Sequence, residues 1–347
     1  MEATLNIPED HERPSAAPWS AWLRPVVVGV CLGSLALWLA FRGLDFGQLL
    51  AGLRYVNYPL TAAALLTTLA TLVLGALRWQ LLFYPDHRQR SFAALFRANV
   101  IGQMLNIAIP VRVGEIARIY AVAGDGALSK ARVLGTLAVE KALDLAAFAL
   151  AVVAVLALVA LPPDIRLQQR ILWIGGVGGV LILWTLARRP ALCSHAVGWM
   201  VAHLPAAWQR RAERTAGNFI AGLSVLQNSW AWLGAIVLTL ALVALAASTN
   251  YLLFLAFGLR LPPVAALFLL VVLQVGAVPP SLPGKVGIFH YLIVVALAPF
   301  GVDRATALSY AIVLYGVALL PKILLGAGYL AVGGRGNGKA KALPYRQ

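Results

Sequence analysis

The sequence predicts an all-α polytopic membrane protein, with about six spanning helices and two re-entrant helical hairpins in an inverted pseudo-repeat. Three observations carry this. Of 347 residues 61% are hydrophobic and 12% charged, with a mean hydropathy of +0.82, so most of the length is too apolar for the half-polar surface of a soluble domain. Runs such as VVVGVCLGSLALWLAF (26–41) and AIVLTLALVALAASTNYLLFLAF (235–257) approach or exceed the roughly 20 apolar residues that cross a bilayer as helix. Period-2 alternation, the mark of a transmembrane barrel, is missing.

Each element follows in order. Residues 1–21 are polar, acidic and proline-containing where a signal peptide would be basic and then apolar, and read as a mobile cytoplasmic tail. The first membrane half covers 22–187, with spans expected at 22–41, 59–84, 133–161 and 171–187. Residues 188–229 alternate basic residues with Trp and Leu and read as an amphipathic linker in the cytoplasmic headgroup plane. The second half covers 230–332, with spans at 230–257 and 305–332, and a basic cytoplasmic tail occupies 333–347.

Two further apolar regions, near 92–122 and 263–300, are interrupted by proline and glycine with charges close by. A proline lacking its N–H beside an irregular turn is tolerated at membrane depth only where protein or a water-filled cavity surrounds it. Each region therefore reads as a hairpin that enters and leaves on one side. Charge agrees. With both termini cytoplasmic, Arg88, Arg90, Arg97, Lys130, Arg132 and the arginines of the linker fall inside, and only Arg42, Arg54, Arg166, Arg170, Arg260 and Arg304 fall outside. The net charge of +15 is thus assigned to topology and anionic headgroups rather than to nucleic acid. Cys31 and Cys193 give no disulfide framework.

The two hairpin turns echo one another: PVRVG at 110–114 and PGKVG at 283–287. Proline is tolerated in the first turn of the helix that follows, whose unpaired amides and dipole favour an anion. Arg112 and Lys285 add full charges, Gly114 and Gly287 permit close backbone approach, and Arg118 follows on the same helical face as Arg112 and Glu115. An arginine fork suits a phosphate. The candidate lipid-phosphate residues are therefore Arg112, Gly114, Arg118, Lys285 and Gly287.

The stretches LNIAIPVRVGEIARIYAV (105–122), SKARVLGTLAVEKALDLAAF (129–148) and PPSLPGKVGIFHYLIVVALAPFGV (279–302) resemble the signature of the lysylphosphatidylglycerol synthase transmembrane-region family, also called flippase-like membrane proteins. The resemblance extends over nearly the whole chain. It departs in the third block, where Lys285 stands at the family's second glycine and His290 at its usual acidic position. The soluble synthase domain of aminoacylating members is expected to be absent. The resemblance then implies the other half of the task, moving a lipid or lipid-linked headgroup between leaflets.

An ionisable residue inside a membrane is a functional candidate by default. Glu115, Glu140, Lys141, Asp144, His290 and Lys322 form the candidate gating or coupling network; the alternatives are a purely structural ion-pair network for the carboxylates and arginines, a hydrogen-bonded packing role for His290 and snorkelling for Lys322. Asn99, Gln103 and Asn106 recur at helical spacing and are candidates to line a polar cavity, with Asn250 and Gln274 as weaker cases. No HExxH, GxSxG or Cys/His metal spacing occurs, so no catalytic residue, metal or cofactor is assigned. The expected function is a flippase- or scramblase-like transporter of a phospholipid or polyprenyl phosphate in the plasma (inner) membrane. The alternatives are a non-transporting accessory subunit of a lipid or glycan pathway, or an intramembrane lipid-modifying enzyme. Expected partners are anionic phospholipid or polyprenyl phosphate, with a lipid-synthesis enzyme and a second copy of the chain as further candidates.

Overall fold

The computed structural model describes residues 31–42, 46–109, 113–124, 128–158, 206–276 and 283–340. The tail at 1–21, the span expected at 171–187, the first part of the linker, Cys193 and the last residues of the basic tail lie outside the described residues. All regular structure among the described residues is helical. We number the helices α1 (Cys31–Phe41), α2 (Phe46–Arg54), α3 (Tyr58–Leu82), α4 (Phe92–Ala108), α5 (Gly114–Ala123), α6 (Lys130–Leu158), α7 (Ala206–Ala221), α8 (Ser229–Ala256), α9 (Pro263–Val275), α10 (Ile288–Leu297) and α11 (Arg304–Ala340).

Length separates spans from half-helices. Helices α3, α6 and α8 have 25, 29 and 28 residues, and the apolar part of α11, Arg304–Val332, has 29. At about 1.5 Å per residue these exceed the roughly 30 Å hydrocarbon core. Helices α4, α5, α9 and α10 have 17, 10, 13 and 10 residues, too short to cross. The apolar stretch Pro283–Phe300 is 18 residues long, but Gly284, Lys285 and Gly287 have φ of 69°, 59° and 86°, so it is not one continuous helix. The outer faces of the spans are apolar, with Leu66, Leu145, Leu233 and Leu324 exposed, because they meet lipid rather than water.

Among the described residues one element order occurs twice, from α2 to α6 and from α7 to α11: short helix, long span, two half-helices, long span. Helices α3 and α8, the equivalent spans, are both capped by asparagine: Asn57 Oδ1 accepts from the Leu60 N–H at 3.1 Å, and Asn228 Oδ1 from the Ala231 N–H at 2.8 Å. They pack antiparallel. At one end the Asn57 N–H donates to the Ala256 carbonyl at 2.9 Å; at the other the Asn228 amide donates to the Tyr84 hydroxyl at 3.0 Å, and the Ser224 hydroxyl donates to the Tyr84 carbonyl. Equivalent spans running in opposite directions make the repeat inverted.

Both hairpins return to the end from which they start. Asp86, before α4, pairs with Arg132, at the start of α6, at 2.7 Å. At the opposite end Phe268 of α9 meets Phe300 with ring centroids 5.8 Å apart, and Arg304 donates to the Ala40 carbonyl at 3.3 Å. Arg88, Arg90, Arg97, Lys130 and Arg132 gather at the first end and Arg42, Arg54, Arg260 and Arg304 at the second, the division expected from the sequence. The linker's described part includes α7, whose chain then folds onto α6: a Cβ on Gly135 would lie 2.4 Å from the Phe219 carbonyl, so only glycine permits that contact.

Candidate functional site

The first half builds a charge network inside the bundle. Arg78 of α3, 4% exposed, donates to Asp144 at 2.7 Å and to the Thr239 hydroxyl at 3.1 Å, with Glu140 3.7 Å away. Arg118 of α5 is equally buried and donates to both oxygens of Glu140, at 2.9 and 2.7 Å. Its guanidinium lies 4.0 Å from the centre of the Trp79 ring, a cation–π contact, and Trp79 is held by donation to the Thr136 hydroxyl at 3.2 Å. Lys141 stands 3.2 Å from Glu115 and 3.9 Å from Asp144. Asn106 closes the set: its amide donates to Glu115 at 2.9 Å and its carbonyl oxygen accepts the Gly114 N–H at 2.8 Å. Three cations thus meet three carboxylates, and each charge has an opposite partner in the protein, while the buried Nε of Arg78 and of Arg118 has no hydrogen-bond partner among the described residues.

This arrangement places several expected phosphate residues elsewhere. Both arms of the Arg118 fork are occupied by Glu140. The Gly114 N–H is taken by Asn106, and a Cβ on Gly114 would lie 2.0 Å from the Gly102 carbonyl. Gly287 is similar: a Cβ there would lie 2.0 Å from the Gly33 carbonyl of α1. The close approach expected of both glycines is present, and what approaches is neighbouring backbone. Arg112, with Pro110 and Val111, lies outside the described residues.

The second feature is a cavity of about 400 Å3 bounded by α3, α4, α8, α9, α10, α11 and the turn that starts at Pro283. Gln103 and Asn106 enter it from the first hairpin, Lys285 from the second, Lys322 from α11, and Asn250 and Gln274 from α8 and α9. No carboxylate stands among the described residues that line it. Two lysines therefore line one space otherwise walled by amides, hydroxyls and apolar carbon, and the chemistry that suits it is an anion with an apolar attachment. A smaller cavity of about 250 Å3 adjoins it, lined by Arg78 and Asp144, and shares Ala246, Leu270 and Gln274 with the first.

Residues 26–326 match the family described as the lysylphosphatidylglycerol synthase TM region, most of the 347-residue chain. The chain belongs to that family. It is a multi-pass membrane protein of lipid-related pathways. No curated protein matches it significantly.

In this member of the family, Asn106, Glu115, Arg118, Glu140, Lys141 and Asp144, which lie in two separate sequence blocks, form one bonded network. The two departures also acquire physical content. Lys285 has φ 59°, the left-handed conformation that glycine supplies without strain, so a lysine is held in glycine's backbone geometry at the cavity wall. His290 is 7% exposed and its ring stands 5.1 Å from Tyr315 and 5.9 Å from Phe289. It packs behind the cavity rather than lining it, and its Nδ1 has no partner among the described residues. Asn99 is likewise buried, facing Gly75 of α3, and is not part of the cavity wall. The residue missed in sequence was Arg78. Its signal was present: a lone charge in LVLGALRWQLL, in the last third of an expected span.

Proposed function

We propose that the protein moves a phosphate-bearing lipid, a phospholipid or a polyprenyl phosphate, between membrane leaflets, with the headgroup held in the Lys285/Lys322 cavity. The observation that carries this reading is the cavity itself: two lysines, one from the broken second hairpin and one from the last span, share a polar space to which the first hairpin also contributes. A phosphate supplies the negative charge that two lysines lining one space favour, and the amides of Gln103 and Gln274 can hydrogen-bond a glycerol or sugar moiety. Glu115 and Glu140, engaged by Lys141 and Arg118, stand outside the cavity, which favours carriage over acid–base chemistry. We place the protein in the plasma membrane with the end bearing Arg88, Arg90 and Lys130 on the cytoplasmic side.

The test is headgroup translocation in proteoliposomes containing the purified chain. Labelled phosphatidylglycerol and a labelled polyprenyl phosphate are compared with a labelled diacylglycerol. The expected result is movement of the phosphate lipids above protein-free vesicles, lost in Lys322→Met. Equal rates with and without protein for both phosphate lipids would remove the transport reading. Transport unaltered in Lys322→Met combined with Lys285→Gly would remove the cavity from the mechanism.

A further inference from the structure

On the far side of the contact between α3 and α11 runs a second space, and it is apolar. It measures about 520 Å3 and is lined by Leu65 and Leu69 of α3 and by Gly316, Val317, Leu320 and Leu324 among the residues of α11. The same two helices wall both spaces. Thr68 and Thr71 of α3 and Leu319 and Lys322 of α11 face the polar cavity, while the neighbouring Leu69 and Leu320 face the groove. The seam between them is closed by side chains, and its polar atoms are satisfied locally: the Thr68 hydroxyl donates to the Ala64 carbonyl at 3.2 Å and the Thr71 hydroxyl to the Thr68 carbonyl at 2.6 Å. The rim opens on the membrane, where Leu320 and Leu324 are 55% and 67% exposed.

Two features suit this seam to part. Pro321 lies inside α11 with no N–H to hold the Val317 carbonyl, so the helix lacks one of its own bonds beside Leu320, which lines the groove, and Lys322, which lines the cavity. Gly316 leaves the groove wall bare, since a Cβ there would meet only the Leu320 side chain at 3.7 Å. Resting on the headgroup reading above, we propose that the α3/α11 groove holds a hydrocarbon chain of the lipid whose phosphate occupies the Lys285/Lys322 cavity, the lipid straddling the seam. A diacyl or prenyl lipid has this division: an anionic head that needs the polar cavity, and a tail that would be excluded from it and is at home in an apolar trough open to the bilayer. The continuity of the two walls, and the charge on one side only, identify the occupant as a lipid tail rather than a partner helix.

The experiment uses the full chain in phosphatidylcholine nanodiscs with two photoactivatable probes that carry a diazirine on the same acyl chain, one a phosphatidylglycerol and the other a diacylglycerol. Adducts are mapped by peptide mass spectrometry, with Leu145 and Leu233 on the outer faces of α6 and α8 marking the background from bulk lipid. The expected result is several-fold denser phosphatidylglycerol labelling at Leu65, Leu320 and Leu324 than at the background positions, reduced to background in Gly316→Trp and weakened in Lys322→Met. Groove labelling no denser than background in the unmodified chain, or undiminished in a monodisperse Gly316→Trp variant, overturns the proposal. Labelling elsewhere that still depends on Lys322 overturns the groove and leaves the headgroup site standing. Equal groove labelling by both probes, lost in Gly316→Trp and indifferent to Lys322→Met, supports the chain site and counts against the phosphate reading.

Discussion

Arg118 and Glu140 face one another with both nitrogens on both oxygens, at 2.9 and 2.7 Å, and each is buried almost completely. The pair joins a half-helix of the first hairpin to a full span, and Arg78 and Trp79 tie it to a third helix. Removing one member of such a pair strands the other charge in a medium with nothing to solvate it. Arg118→Ala or Glu140→Ala is expected to cost about 3–5 kcal/mol. Glu140→Ala is the worse of the two because it leaves both arginines facing the gap. Thermal unfolding in detergent checks this, and the double variant should cost less than the two single costs added together. Strict additivity would mean that the pair does not couple the helices.

Lys285→Gly separates stability from function. The substitution relieves a left-handed backbone strain of about 1–2 kcal/mol, partly offset by the greater unfolded-state freedom of glycine. The variant is expected to melt no lower than the unmodified protein while its translocation of phosphatidylglycerol falls. Strain retained at a cavity wall is what function at that wall would maintain. A lower melting temperature would instead make the lysine a structural element of the turn.

Gly114→Ala and Gly287→Ala test whether the hairpins depend on backbone contact. Each new Cβ would stand 2.0 Å from a carbonyl oxygen, of Gly102 and of Gly33, and neither carbonyl can rotate away as a side-chain end could. Gly287 adds a φ of 86° that alanine rarely adopts. Both variants are expected to lose the monodisperse peak in size-exclusion chromatography. Gly217→Ala, with nothing within 4 Å of the new atom, is the matched control and should elute normally.

Asp303 offers a pH-dependent contribution outside the membrane. Its carboxylate accepts the Thr306 N–H at 3.0 Å at the start of α11. Burial alone would raise its pKa, but that effect is outweighed by hydrogen bonds from Thr306 and the Ala305 backbone, leaving it below the ordinary 3.8. A depressed carboxylate pKa stabilises the fold above the unfolded value, and that stabilisation disappears as pH falls through the folded value. Asp303→Ala should cost about 0.5–1 kcal/mol at neutral pH, the lower part of the capping range because the site is exposed. The gap between variant and parent, read as melting temperature against pH, should narrow below pH 3.8.

The sequence alone determined the membrane fold and where its short, broken helices fall, because these depend on local rules: hydrophobic run length, proline's missing amide, glycine's φ, and the sorting of Lys and Arg between loops. It also drew attention to ionisable and amide side chains, since these are conspicuous in a hydrocarbon background wherever they fall. Tertiary structure alone decided which of them act together. Arg118 was expected beside a phosphate and is instead committed to Glu140, 22 residues on. Lys285 and Lys322, on different elements, meet at one cavity with Gln103 and Asn106 of the opposite half. Arg78 joins Asp144 across 66 residues of sequence, a partnership that no periodicity along the chain records. Spacing within a helix reports a shared face, but the neighbour of that face is set by how the inverted halves pack, and in a low-dielectric interior that neighbour decides whether a charge is bound by protein or offered to a ligand.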